Sequence, residues 1–223
     1  IVIWTYSITS HSYIVPGNNF ASYGEHYKTM ADAGVSYIMD QFYHDSRIPC
    51  FEELRLYTMS KLMYRSDLSY NTLVNDFISQ YYGEAADTIR QYYEFYRSYY
   101  MYLEETKALG GTVPFEYMTA DFWPFEVVVR LADYLDSALE DFAPLRQTDP
   151  ARYQKLYDRI MKEKVTPMFL MMNYYRNGMS DELKRQYWND LNTYTKKYGI
   201  ENTYENKFDV AGILEAWRTE IFG

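Results

Sequence analysis

Apolar residues form two short runs near the amino end and then recur at helical spacing along the rest of the chain. The runs at 1–6 and 35–42 are rich in β-branched and aromatic side chains, which predicts strands covered on both faces. Between them, Asn19 is a candidate N-cap for a helix that ends near Ala33, just before Gly34. A strand, a helix and a second strand in this order predict a parallel βαβ unit with a right-handed crossover.

The predicted βαβ unit does not make a stable sheet by itself. Two parallel strands leave both outer edges unpaired, and buried parallel strands need cover on each face. We therefore expect residues 1–48 to be the last βαβ unit of a larger α/β domain, with the other strands upstream in the same chain.

From about residue 48 onward the pattern predicts helices only. The predicted helices span 50–65, 70–82, 84–109, 124–142, 149–176, 180–199 and 209–222. Asp149 followed by Pro150 is a start signal, Gly199 is a stop signal, and Pro167 is expected to kink the helix that contains it. The sequence thus predicts a mainly α chain, with an all-helical domain over residues 49–223.

Composition excludes several functions. The net charge is −9, which argues against a nucleic acid partner, and no window of 18 apolar residues predicts a membrane span. Cys50 is the single cysteine, which excludes an internal disulfide and a thiolate zinc site. The glycine-rich phosphate loop, the dinucleotide fingerprint and the serine nucleophile elbow are absent, so we expect neither a cofactor nor a metal.

Candidate binding residues follow from the predicted strands, because α/β domains carry their sites at the carboxyl ends of parallel strands. The candidates are Trp4, Tyr6, His11 and Tyr13 after the first strand, and Asp40 and Gln41 at the second. Aromatic rings can stack on a sugar ring while polar groups bond its hydroxyls. Trp4 could equally be a core residue, and side-chain alternation lets only one of Asp40 and Gln41 face inward.

Catalytic residues are not identified by the sequence. Glycoside hydrolysis usually needs two carboxylates beside one bond, and the predicted mouth offers only Asp40 and Asp45. Acidic pairs elsewhere lie on predicted helices or at their ends, where we expect them to face solvent. His11 and His44 lie in the two mouth loops and could meet in space.

Residues 51–93 resemble a known family. This segment carries Tyr81-Tyr82-Gly83 followed by Ala85-Ala86, a packing signature of the bacterial domain-of-unknown-function family 4838. That family occurs in glycoside-hydrolase-like chains with the architecture of α-glucuronidases and β-hexosaminidases. Upstream, the sequence IWTYS and the loop around Pro16 look like the family's penultimate barrel strand and mouth loop. The sequence departs from the family at Tyr64-Arg65-Ser66, where relatives more often have Trp and then Asp-Pro.

The resemblance implies a (β/α)₈ barrel whose last two strands are residues 1–6 and 35–41, followed by the helical domain. It also implies a carbohydrate substrate, a proton donor outside these residues, and a secreted or periplasmic location. Our leading hypothesis is the C-terminal part of a glycoside hydrolase acting on a polysaccharide or glycoconjugate. The alternatives are a non-catalytic helical module that binds glycans through exposed tyrosines, and a purely structural or assembly module.

Overall fold

The protein is mainly α-helical, as the sequence predicts. The computed structural model describes residues 1–6, 12–15, 17, 19–20, 22–43, 45–107, 119–205 and 207–223. The helices are α1 (Tyr23–Asp32), α2 (Glu52–Tyr64), α3 (Tyr70–Tyr82), α4 (Ala86–Lys107), α5 (Phe125–Asp141), α6 (Leu145–Thr148), α7 (Pro150–Tyr175), α8 (Asp181–Tyr198) and α9 (Val210–Phe222). The strands are β1 (Val2–Tyr6), β2 (Tyr37–Gln41), β3 (Asn202–Tyr204) and β4 (Lys207–Asp209). None of the described helices is both long and apolar enough to cross a membrane.

The predicted βαβ unit is present. Strands β1 and β2 pair in parallel, with a register that runs from Val2 opposite Tyr37 to Tyr6 opposite Gln41, and α1 connects them. Among the described residues no further strand joins this sheet. The larger α/β domain that would supply more strands stays a prediction.

The expectation of helices alone after residue 48 is wrong at residues 202–209. Strands β3 and β4 form an antiparallel hairpin, with Asn202 opposite Asp209 and Tyr204 opposite Lys207. Each strand has three residues, which is too short for an alternating apolar pattern to appear in the sequence. The hairpin follows Gly199, which ends α8 in the left-handed region at φ 66°.

Helix starts were predicted well where a side chain caps the helix. The side chains of Asp149, Ser180 and Asp209 each accept a hydrogen bond from a backbone N–H in the first turn of α7, α8 and α9. Helix α7 then continues through Pro167, which is buried.

The prediction that Asn19 caps α1 is wrong. Helix α1 begins at Tyr23, three residues later than a cap at Asn19 requires. The Asn19 side chain instead accepts a 2.6 Å hydrogen bond from the buried guanidinium of Arg55. The side chain of Asn19 therefore makes a long-range contact with Arg55 instead of capping the helix.

Tyrosine supplies much of the core. Tyr92, Tyr96 and Tyr100 form one buried stripe along α4, and Trp123 packs against Tyr96 and Tyr100. The same core contains α1 residues such as Tyr27, so the helices and the βαβ unit share buried contacts. These three tyrosines of α4 are thus packing residues rather than an exposed platform.

Candidate functional site

The sheet formed by β1 and β2 has one exposed face. Side-chain alternation and the parallel register place six residues on this side. We call them the aromatic face: Val2, Trp4, Tyr6, Tyr37, Met39 and Gln41. The opposite side of the sheet lies against α1. All six side chains are uncharged, so the aromatic face can offer ring stacking and neutral hydrogen bonds to a ligand.

Trp4 and Tyr6 are the largest side chains of the aromatic face. They are 60% and 62% exposed, so Trp4 is not a core residue here. Their rings are nearly parallel, with an interplanar angle of 25° and centroids 6.4 Å apart. The indole Nε1 of Trp4 donates to the amide oxygen of Gln41 at 3.2 Å, which leaves the amide nitrogen of Gln41 as a donor for a ligand.

Asp40 lies on the other side of the sheet from Gln41. Its carboxylate accepts a hydrogen bond from the hydroxyl of Tyr27 on α1. A cavity of about 90 Å³ lies here between the sheet and α1, and Asp40, Tyr27 and His26 are among its lining residues. The structure therefore decides which member of the pair shares a face with Trp4, and that member is Gln41.

The mouth loops meet the β3–β4 hairpin. Tyr13 is buried, and its backbone N–H donates to the carbonyl of Thr203 at 2.7 Å. Burial and the hydrogen-bonded carboxylate of Asp45 raise the pKa of the Tyr13 hydroxyl well above its usual range. The side-chain amide of Asn202 donates to the same carboxylate at 3.2 Å. His11 and His44 lie outside the described residues.

The hairpin also fixes the loop that follows β2. The hydroxyl oxygen of Ser46 accepts hydrogen bonds from the backbone N–H groups of Glu201 at 2.9 Å and Asn202 at 3.1 Å. The backbone N–H of Arg47 donates to the carbonyl of Gly199 at 2.8 Å. The end of α8 therefore positions the loop beyond Gln41, a role that sequence reasoning missed because these residues carry no motif.

A buried carboxylate supports the start of α2. Glu163 on α7 is buried, and its oxygens accept hydrogen bonds from the backbone N–H of Phe51 and the hydroxyl of Tyr82, both at 2.8 Å. Burial raises the pKa of Glu163 to about 7. Cys50 and Phe51 adopt φ values of 60° and 64°, a left-handed conformation that is strained for residues with a side chain.

Ionic contacts surround this strained turn. The ammonium of the buried Lys162 contacts the carboxylate of Glu52 and lies 2.6 Å from that of Glu53. The guanidinium of Arg47 also lies 2.6 Å from Glu52. These contacts join α7 and the loop between β2 and α2 to the first turn of α2, and they balance charge where water is excluded.

No candidate metal site is found among the described residues. In this part of the chain, no three His, Cys, Asp or Glu side chains come together as a metal ion would require. The sequence-predicted site residues that the structure does bring together are Trp4, Tyr6 and Gln41, while Tyr13 and Asp40 lie in separate surroundings.

One family model matches the first part of the chain. The family described as Domain of unknown function (DUF4838) matches residues 1–94, which include β1, α1, β2, α2 and α3. No curated protein and no solved structure gives a significant match. The aromatic face and the Tyr81-Tyr82-Gly83 block both lie inside the matched segment. Residues 1–94 of this chain therefore match the DUF4838 family, as the resemblance of residues 51–93 indicated.

Proposed function

We propose that this chain is part of a glycoside hydrolase acting on a polysaccharide or glycoconjugate, and that its aromatic face binds the sugar. The observation that supports this most is the pair of exposed, nearly parallel rings of Trp4 and Tyr6 beside the amide of Gln41. A pyranose ring presents an apolar C–H face and hydroxyl groups at its rim. Aromatic rings next to a neutral donor complement both features.

The position of the aromatic face supports a site at a barrel mouth. Tyr6 and Gln41 are the last residues of β1 and β2, and parallel α/β domains bind their ligands at the carboxyl ends of strands. Val2 and Tyr37 lie toward the amino ends of the same face and are exposed apolar residues. In a (β/α)₈ barrel, such side chains would fill the barrel interior while those at the mouth contact substrate.

The aromatic face supplies binding rather than proton transfer. Its side chains are uncharged, whereas glycoside hydrolysis uses a carboxylic acid and a carboxylate. In this proposal, the catalytic carboxylates come from other strands of the barrel, and the helical domain supports the barrel from behind. Action on a polysaccharide would place the enzyme in the periplasm or outside the cell.

A second candidate is a glycan-binding module without catalysis. It is favoured by the fact that Trp4, Tyr6 and Gln41 lie together and that the aromatic face, as far as the structure describes it, contains no carboxylate. In this case the proposed binding surface is again the aromatic face, and the buried tyrosine stripe on α4 does not contribute to it.

Binding and hydrolysis measured together test both candidates. Soluble oligosaccharides and aryl glycosides are offered to the full-length gene product, as wild type and as Trp4→Ala. We expect Trp4→Ala to weaken oligosaccharide binding by about tenfold, since it removes one stacking ring. Tyr64→Ala is the matched control, because Tyr64 is an exposed aromatic residue, 87% exposed, outside the aromatic face.

The outcomes separate the candidates. Hydrolysis that falls with Trp4→Ala supports the glycoside hydrolase, and binding without hydrolysis supports the glycan-binding module. Equal behaviour of the Trp4 and Tyr64 variants would remove the aromatic face from the site under either candidate.

A further inference from the structure

A cleft is formed by residues that are distant in sequence from the aromatic face. It has a volume of about 390 Å³ and lies between the carboxyl end of α3 and the first turns of α7. This volume is within the range of small-molecule sites. Gln80 and Tyr81 line it from α3, and Arg152, Lys155 and Arg159 line it from α7.

The three basic residues share one face of α7. Their spacings of three and four positions place them above one another along the helix. The whole chain carries a net charge of −9, so a cleft lined by three basic residues differs from the acidic character of the rest of the chain. The positive end of the helix dipole also lies at this end of α7.

One of these cations is already neutralised. The Nε of Arg152 lies 2.9 Å from the carboxylate of Glu84. Asp149 is the carboxylate within the described lining of the cleft, and it accepts a hydrogen bond from the backbone N–H of Arg152 as the cap of α7.

The other two cations have no acidic partner among the described residues. Lys155 is exposed to the cleft and forms no ion pair there. Arg159 donates to the backbone carbonyl of Tyr81, and its guanidinium lies 3.8 Å from the centroid of the Tyr81 ring. Phe77 packs against the same ring, with centroids 4.8 Å apart, so the guanidinium is held in place by packing.

We propose that this cleft binds the oxyanion group of a small ligand, a phosphate, a sulfate or a carboxylate, between Lys155 and Arg159. The packed guanidinium of Arg159 offers N–H groups in the planar arrangement that oxyanions accept, and the ammonium of Lys155 supplies the second charge. The amide of Gln80 adds a neutral donor at the edge of the cleft. The site is independent of sugar binding at the aromatic face.

Titration with simple anions tests the proposal. Inorganic phosphate, sulfate and acetate are added to the intact chain at low ionic strength, and binding is followed by calorimetry and by amide chemical shifts. We expect saturable binding with shifts centred on Tyr81 and Lys155. Lys155→Gln should weaken it about tenfold, because one charge-assisted hydrogen bond is lost.

Two control variants sharpen the test. Lys155→Arg keeps the charge and should bind within a few-fold of wild type, as expected for a site that needs a cation. Lys196→Gln changes an exposed lysine of α8 outside the cleft and should leave binding unchanged. Binding of phosphate and sulfate without acetate identifies a tetrahedral oxyanion as the ligand group, whereas binding of acetate identifies a carboxylate. No saturable binding, or equal binding by the two glutamine variants, would overturn the proposal.

Discussion

The buried carboxylate of Glu163 accepts a hydrogen bond from the backbone N–H of Phe51 at 2.8 Å, although 112 positions separate them in sequence. Phe51 is the residue before α2 and has a positive φ of 64°. Its side chain makes no capping hydrogen bond, so Glu163 satisfies a backbone donor that a local cap would normally satisfy. Helix α7 therefore stabilises the strained turn that follows β2.

Stability should fall as the pH rises from about 4.5 to about 7 because of Glu163, and level off above that range. Its pKa is raised from 4.5 to about 7 in the folded protein, so the folded state holds the proton over a range where the unfolded state has lost it. The resulting stabilisation is fully present below about 4.5 and is lost as the pH rises through about 7. The free energy of unfolding, measured with urea, should decline by up to about 1.4 kcal/mol per pH unit from this group.

The control for this prediction is Glu163→Gln. Its amide oxygen can accept from the Phe51 N–H, and its amide nitrogen can donate to the Tyr82 hydroxyl, so both hydrogen bonds persist without a titrating group. The pH dependence should be flatter in this variant. Identical pH profiles for wild type and variant would show that Glu163 does not titrate in this range.

Removing the buried ammonium should destabilise the junction between α2 and α7. Lys162→Met deletes the partner of Glu52 and Glu53 and leaves carboxylate charge where water is excluded. We expect a loss of about 3 kcal/mol, at the lower end for a broken buried pair because Arg47 still contacts Glu52. The measurement is urea unfolding at neutral pH.

The double variant Lys162→Met with Glu52→Gln separates the two effects. It removes one of the two carboxylates that Lys162 contacts along with the cation, so it should recover part of the lost stability, although Arg47 also loses its contact with Glu52. A double variant less stable than the single one would mean that the contact between Arg47 and Glu52 outweighs the cost of the buried charge.

The sequence revealed features that local chemistry determines. The starts of α7, α8 and α9 were predictable because Asp149, Ser180 and Asp209 cap their own helices. The parallel pairing of β1 and β2 followed from the order of strand, helix and strand. Alternation also showed that Asp40 and Gln41 must face opposite ways, although it could not say which one joins Trp4.

Features that depend on distant residues were not predictable. No pattern marks Glu163 as the partner of Phe51, because that contact exists only once α7 packs against α2. Each three-residue strand of the hairpin likewise depends on its pairing with the other strand and on the hydrogen bonds made by Ser46 in the loop after β2. The part of the candidate site formed by the β3–β4 hairpin was missed for this reason.

Cys50 should be unreactive in the folded protein. Burial raises the pKa of its thiol to about 12, and the nucleophilic form is the thiolate. A thiol reagent such as dithionitrobenzoate at pH 8 should label Cys50 only as fast as the chain unfolds, with full labelling in urea. Rapid labelling without denaturant would contradict the burial of Cys50 in the strained turn.

Variants of Asp40 and Gln41 should have different effects, one on stability and the other on sugar binding, because the two side chains point to opposite sides of the sheet. Gln41→Ala removes a partly buried amide that the proposed function assigns to the sugar, so oligosaccharide affinity should fall about fivefold with little change in stability. Asp40→Ala removes the acceptor of the Tyr27 hydroxyl and should cost about 2 kcal/mol of stability while affinity is kept. Calorimetric titration and urea unfolding of both variants measure the two effects. Loss of affinity in the Asp40 variant alone would place the sugar on the α1 side of the sheet, against the proposed face.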